Sequence, residues 1–271
     1  TLNSSATFNA TVTTNNLTIA ASKTATVKDD VTVASNITLN NSSTLAVINT
    51  AAMSVSGAIV ESGGDASSTA ISVQFNTADT DPDKVTFLGT VTVDNISVGD
   101  AAGATYAGYA HFTGSGGVAV GRASATSGNH ANENSTLQFD YAVTASDEIV
   151  LNDKNGTAYQ AHLIFSGNNT ATIAADVSAS DNEGTLQVTG TGKTFTGVIG
   201  TSSAQLELVD IDVATTFQGA VYTNDLEVDG AVTSTSSIYV DELSTIGANV
   251  TTSGTQTYTG AVTLSNDVTL T

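Results

Sequence analysis

Three carboxylates at alternate positions, Asp79, Asp81 and Asp83, form the run Asp79-Thr80-Asp81-Pro82-Asp83 close to Asn76 and are the best local set of cation ligands in the chain. Calcium takes about six to eight oxygen ligands, so a polar loop of this kind is a candidate calcium site. It is not an EF-hand, because Lys84 stands where the sixth-position glycine is expected and Thr90 where the final glutamate is expected. A solvated acidic corner is the competing reading. Glu207 and Glu227 make a second metal candidate, because at a repeat of twenty residues they would face each other on adjacent strands. Like charges so placed repel unless water or a cation separates them.

Catalytic chemistry finds less support. His111, His130 and His162 are accompanied by no Gly-x-Ser-x-Gly elbow, His-Glu-x-x-His helix or phosphate-binding glycine loop. Asp147-Glu148 and Asp241-Glu242 are adjacent pairs, and neighbours along a strand point to opposite faces, so neither is a cooperating acid pair for glycoside hydrolysis. No catalytic residue is assigned and the chain is expected not to be an enzyme; a carbohydrate-active β-helix enzyme is the remote alternative. Residues 100–166 gather Tyr106, Tyr109, Phe112, Phe139, Tyr141, Tyr159 and Phe165 with all three histidines and the sole arginine, Arg122. One reading makes this an insertion whose Tyr106, Tyr109, Phe112 and Arg122 recognise a host, matrix or carbohydrate ligand. The other makes it a set of larger coils with strands over Ser135–Tyr141, Glu148–Asn152 and His162–Ser166, and loops over Gly103–Gly108 and Gly114–Gly121.

The elements that must hold these residues are short strands. Apolar residues alternate with polar ones, as in Val31-x-Val33, Ile37-x-Leu39 and Leu45-x-Val47, and the intervening corners are rich in Ser and Asn. A phrase Thr-aromatic-x-(Gly/Ala) returns at Thr7-Phe8, Thr86-Phe87, Thr194-Phe195, Thr216-Phe217 and Thr257-Tyr258. The apolar pairs recur at twenty residues: Leu17 maps on Ile37, Ile19 on Leu39 and then Ile59, Val27 on Val47, and Val33 on Met53. Later, Leu186, Leu206, Leu226 and Ile246 form one expected column and Val188, Leu208, Val228 and Ala248 its partner. The expected fold is all-β, a right-handed parallel β-helix with coils of about 20 residues and three short strands per coil, running continuously from 1 to 271. Twelve or thirteen coils would make a rod roughly 60 Å long. Thr-x-Thr pairs such as Thr11/Thr13 and Thr90/Thr92 do not repeat at that period, so no threonine array is expected.

Composition narrows the partners. Six Lys and Arg against 26 Asp and Glu give a formal charge of −20, which excludes the basic patch that nucleic acid or an anionic membrane requires. Cysteine is absent, so there is neither a disulfide framework nor a thiolate metal site. No apolar run reaches the length of a membrane helix. Asn-x-Ser/Thr triplets at Asn9, Asn16, Asn36, Asn95, Asn134, Asn155 and Asn249 are potential glycan acceptors. The chain starts and stops inside repeat units. The end coils are therefore expected to be covered by further repeats or by identical subunits stacked head to tail.

The stretch from Gly184-Thr185-Leu186-Gln187-Val188-Thr189-Gly190 through Thr194-Phe195-Thr196-Gly197 to Thr257-Tyr258-Thr259-Gly260-Ala261-Val262-Thr263-Leu264 resembles the β-strand-repeat passengers of bacterial autotransporter surface proteins. Rickettsial outer-membrane surface antigens and filamentous-haemagglutinin-like adhesins have a similar texture. The resemblance covers about half the chain and implies a solenoid displayed outside the cell. The expected function is an extracellular structural rod, forming or decorating a cell-surface filament, stalk or surface layer by self-association. The alternative is an adhesin using residues 100–166, and calcium is the only cofactor foreseen.

Overall fold

The computed structural model describes residues 1–49, 51–63, 68–75, 83–99, 107–127, 134–153 and 160–271. Among them all regular structure is strand, and every strand-to-strand pairing is parallel, in two hydrogen-bonded sheets of 15 and 14 strands. Parallel strands joined by short corners can only stack coil upon coil, and this is a β-solenoid. Twelve successive strands lie along the main path of each sheet, so the rod is about 50 Å long at the usual inter-strand spacing.

Each coil has three walls. In the first coil these are Ala6–Phe8, Val12–Thr14 and Leu17–Ile19, and in the second Thr24–Val27, Val31–Val33 and Asn36–Asn40. Wall one continues through Thr44–Asn49 and Ala70–Phe75, wall two through Met53–Val55 and Val85–Phe87, and wall three through Ala58–Ser62. In the middle, Val91–Val98, Val118–Thr126, Val143–Asn152 and Ala171–Ala179 turn from wall three into wall one without leaving the strand conformation. Alternation decides which side chains enter: in Val31–Val33 the two valines are buried and Thr32 is exposed. β-Branched residues suit such a half-buried pleat.

The first coils keep the expected register, with Leu17 over Ile37, Ile19 over Leu39 and Val27 over Val47. Thereafter coil length varies, from 17 residues where Val221 pairs with Ile238 to 32 where Met53 pairs with Val85. Several expected columns are therefore corrected. Ile37, not Leu39, sits on Ile59, and Val31 rather than Val33 begins the pairing with Met53–Val55, on Val55. In the later coils Leu186 sits on Val209, then Leu226, then Ser244, and Val188 on Ile211, Val228 and Ile246. The pairing runs through the middle of the chain by way of Tyr109–Phe112, Ser135–Phe139 and Ala161–Phe165, which are strands of larger coils. Val118–Thr126 is strand across part of the stretch expected to be loop.

Phe87, Phe112, Phe139 and Phe165 stack inside wall two at centroid distances of 4.7, 5.1 and 5.7 Å. Phe165 then meets Phe195 of wall three edge-on at 5.1 Å, and Phe195 stacks on Phe217. The column changes wall where Val188 replaces phenylalanine on wall two, so large rings fill the interior from one side or the other. The recurring Thr-aromatic phrase is thus a strand-and-corner unit and not a coil. Phe8 and Tyr258 lie on wall one, Phe87 on wall two, and Phe195 and Phe217 on wall three. Its glycine serves the corner: a Cβ at Gly89 would lie 2.1 Å from the Gly57 carbonyl oxygen, and one at Gly219 2.0 Å from that of Gly197.

Candidate functional site

The outer surface of wall two carries the densest polar chemistry. Strand alternation sends Ala110 and Phe112 inward and brings Tyr109 and His111 toward the outer side, although His111 stays largely covered. The next coils place Gln138 and then Ile164 on His111. Tyr109 Oη donates to Gln138 Oε1, Gln138 Nε2 donates to Ser166 Oγ at 2.6 Å, and Ser166 Oγ donates to Asp140 Oδ1 at 2.6 Å. His111 Nε2 also lies 2.8 Å from Asp140 Oδ1. Burial would raise the Asp140 carboxyl, but hydrogen bonds from His111 and Ser166, with the electrostatic pull of the His111 ring and the Lys193 ammonium, hold it below its ordinary value. Here the carboxylate stands between imidazole and hydroxyl. In a nucleophile triad the imidazole stands between them and removes the hydroxyl proton, so this arrangement does not activate Ser166.

Behind this network Lys193, only 1% exposed, extends its ammonium to the main chain of a corner. Nζ donates to the carbonyl oxygens of Asp140 at 3.0 Å, Asn169 at 3.1 Å and Gly167. Burial lowers the Lys193 pKa, and the Asp140 carboxylate partly opposes that effect.

Farther along wall two the outer column becomes acidic. Gln187 pairs with Asp210 and Asp210 with Glu227, so Glu227 faces Asp210 and not Glu207, correcting the expected pair. Gln187 Nε2 donates to Asp210 Oδ2 at 2.9 Å and to Asp212 Oδ2 at 3.3 Å. Burial first, then the charges of Asp212, Glu227 and Asp229, push Asp210 up to about 6, with the Gln187 bond opposing. Glu207 accepts instead from Gln160 Nε2 at 2.7 Å, and burial and the charge of Asp153 raise its pKa. Among the described residues no three Asp, Glu or His side chains converge as a metal shell. Asp79 and Asp81 lie outside the described residues. Asp83 lies just before Val85–Phe87, and its carbonyl accepts from Asn49 Nδ2 at 2.9 Å.

The described members of the expected recognition set, Tyr109, Phe112 and Arg122, do not share one surface. Tyr106 lies outside the described residues. Tyr109 packs its ring against Lys84 Nζ at 5.7 Å, whereas Phe112 is 2% exposed and belongs to the phenylalanine column. Arg122 sits opposite Asn95, where wall three turns into wall one, and meets Glu148 at 3.4 Å. The structure also assembles two outer features that spacing alone conceals. Thr172, Thr194, Thr216, Thr233 and Thr251 form an unbroken column one threonine wide on wall three. Tyr222 and Tyr239 stack on wall one with ring centroids 4.8 Å apart. Their signal in the sequence is an aromatic between inward residues, Val221-Tyr222-Thr223 and Ile238-Tyr239-Val240, repeated at 17 residues.

These features define the chain as a parallel β-solenoid with chemically distinct walls. No protein-family model matches the sequence, and neither the curated proteins nor the solved structures contain a significant match.

Proposed function

We propose that the chain is a segment of an extracellular structural rod, part of a surface filament, stalk or surface layer, whose coils are continued end to end by further coils. The observation that carries this reading is the open growth direction of the sheets. Among the described residues all strand pairing runs along the rod axis, coil upon coil. Stacking of this kind has no built-in length, because each coil offers the next the same pairing edge and the same apolar interior. The formal charge of −20 and the absence of cysteine suit an extracellular surface, because like-charged rods stay apart laterally while their ends meet through apolar contact.

Sedimentation equilibrium over a range of protein concentrations tests the proposal. Average mass should rise with concentration, and Leu264→Asp should hold the protein at the mass of one chain. A wild type that stays at one-chain mass throughout would overturn end-to-end association between subunits. The adhesin reading through residues 100–166 draws less support, because Phe112 is buried in the ring column and Arg122 meets Glu148.

A further inference from the structure

Tyr222 and Tyr239 form one side of a groove of about 340 Å³ on wall one, and Ser202, Gln205, Asp241 and Thr257 line it with polar groups. That volume is within the range of small-molecule sites. The two rings are nearly parallel, at 7°, because their strands are in register and both point outward. Each ring covers one face of the other. The position in register before Tyr222 is Gly200, since Ile199 pairs with Val221, so no side chain from that position covers the second face of Tyr222. After Gly200 the chain makes a tight turn closed by Thr201 and Ala204, each donating its N–H to the other's carbonyl, and this turn raises Ser202 as a lip. Successive coils thus contribute a lip, two rings and Thr257, giving a groove about 14 Å long at the usual coil spacing.

We propose that this groove binds a neutral glycan, with the apolar face of a pyranose ring against Tyr222 and its hydroxyls on Gln205, Asp241 and Thr257. Aromatic rings with a polar edge offer both kinds of contact at once. Hydroxyl, amide and carboxylate groups match the alternating donors and acceptors of a sugar. Among the described residues no lysine or arginine lines the groove, and a chain carrying −20 repels anionic polymers. The proposal is independent of end-to-end assembly, because the groove lies within one chain and a single rod binds as well as a filament.

The chain contains no tryptophan and seven tyrosines, of which Tyr222 and Tyr239 line the groove, so the part of the tyrosine fluorescence change that is lost in the Tyr222 variants is the groove signal. Titration with neutral hexasaccharides of glucose, mannose, xylose, galactose and N-acetylglucosamine should give saturable quenching with at least one of them. Tyr222→Ala should weaken that binding about tenfold or more, and Tyr222→Phe, which keeps the ring face, should stay within about threefold. Asp241→Ala alters an exposed corner side chain, and the same direction of loss is expected with an unchanged far-ultraviolet spectrum, so a folding failure of Tyr222→Ala would not blur the outcome. Unchanged affinity in both alanine variants would place the sugar elsewhere and overturn the proposal. Quenching by tetramethylammonium with none by any hexasaccharide would make the groove a cation site, also overturning it, as would no response to either probe.

Discussion

Lys193→Met is the sharpest perturbation of the packing account. The ammonium has three N–H donors and meets the carbonyl oxygens of Asp140, Gly167 and Asn169, with Asn169 Oδ1 at 3.4 Å as a further acceptor. Methionine fills similar space but donates nothing, so three main-chain carbonyls lose a charged donor at a corner where a Cβ on Gly167 would lie 2.4 Å from the Asp140 carbonyl oxygen. The Asp140 and Gly167 carbonyls each keep a second donor, Asn169 Nδ2 and the Asn169 N–H, both at 2.9 Å, so the cost falls chiefly on the Asn169 carbonyl, about 1–3 kcal/mol for a buried acceptor left without a partner. Against this stands the desolvation that the buried ammonium no longer suffers. The net destabilisation expected is therefore about 1–3 kcal/mol. Urea unfolding followed by circular dichroism measures it, with exposed Lys28→Met as control, expected within about 0.5 kcal/mol of wild type. Because stability in a solenoid is a sum of local interfaces, the transition should also broaden as coils near Gly167 open first. A Lys193→Met protein within about 0.5 kcal/mol of wild type would refute the claim that the ammonium satisfies this corner.

The raised pKa of Asp210, about 6, means that the folded state holds its proton more tightly than the unfolded chain. Its contribution is therefore fully favourable only below the ordinary carboxylate range and is lost as pH rises toward and through 6; urea midpoints between pH 4 and 7.5 should fall across that window less in Asp210→Asn than in wild type. Gly219→Ala drives a Cβ toward the Gly197 carbonyl, 2.0 Å away, and should cost about 1–3 kcal/mol in the same assay. Phe139→Ala, which opens the ring column between Phe112 and Phe165, should cost about 3–5 kcal/mol. Ser42 has φ of 57°, so Ser42→Gly should raise the melting temperature, by at most about 1 kcal/mol of added stability.

The inside and outside of each strand are legible from the sequence because alternation has a period of two that no corner can alter. The coil period is not protected in this way. A corner absorbs extra residues without disturbing the walls, so Leu17 on Ile37 can be read directly, while Leu186 on Val209 cannot. Every outer column depends on that register. Asp210 against Glu227, Tyr222 against Tyr239 and the threonine column therefore appear only once coils of 17, 18 and 22 residues replace coils of 20. Phe112 reads as surface because its region is irregular in composition. The phrase Phe112-Thr113-Gly114 nonetheless matches Phe87-Leu88-Gly89, and a Cβ at Gly114 would meet the Gly89 carbonyl at 2.2 Å, so the same corner chemistry puts both rings inside.

Open-ended coil stacking is tested most directly by negative-stain electron microscopy of the purified chain at high concentration, in calcium and in chelator. The account predicts filaments of constant width, many times longer than the single rod of about 50 Å. Filaments that fall apart in chelator would add a bridging cation to the contact. Monodisperse short rods in both conditions would contradict assembly through the coil ends.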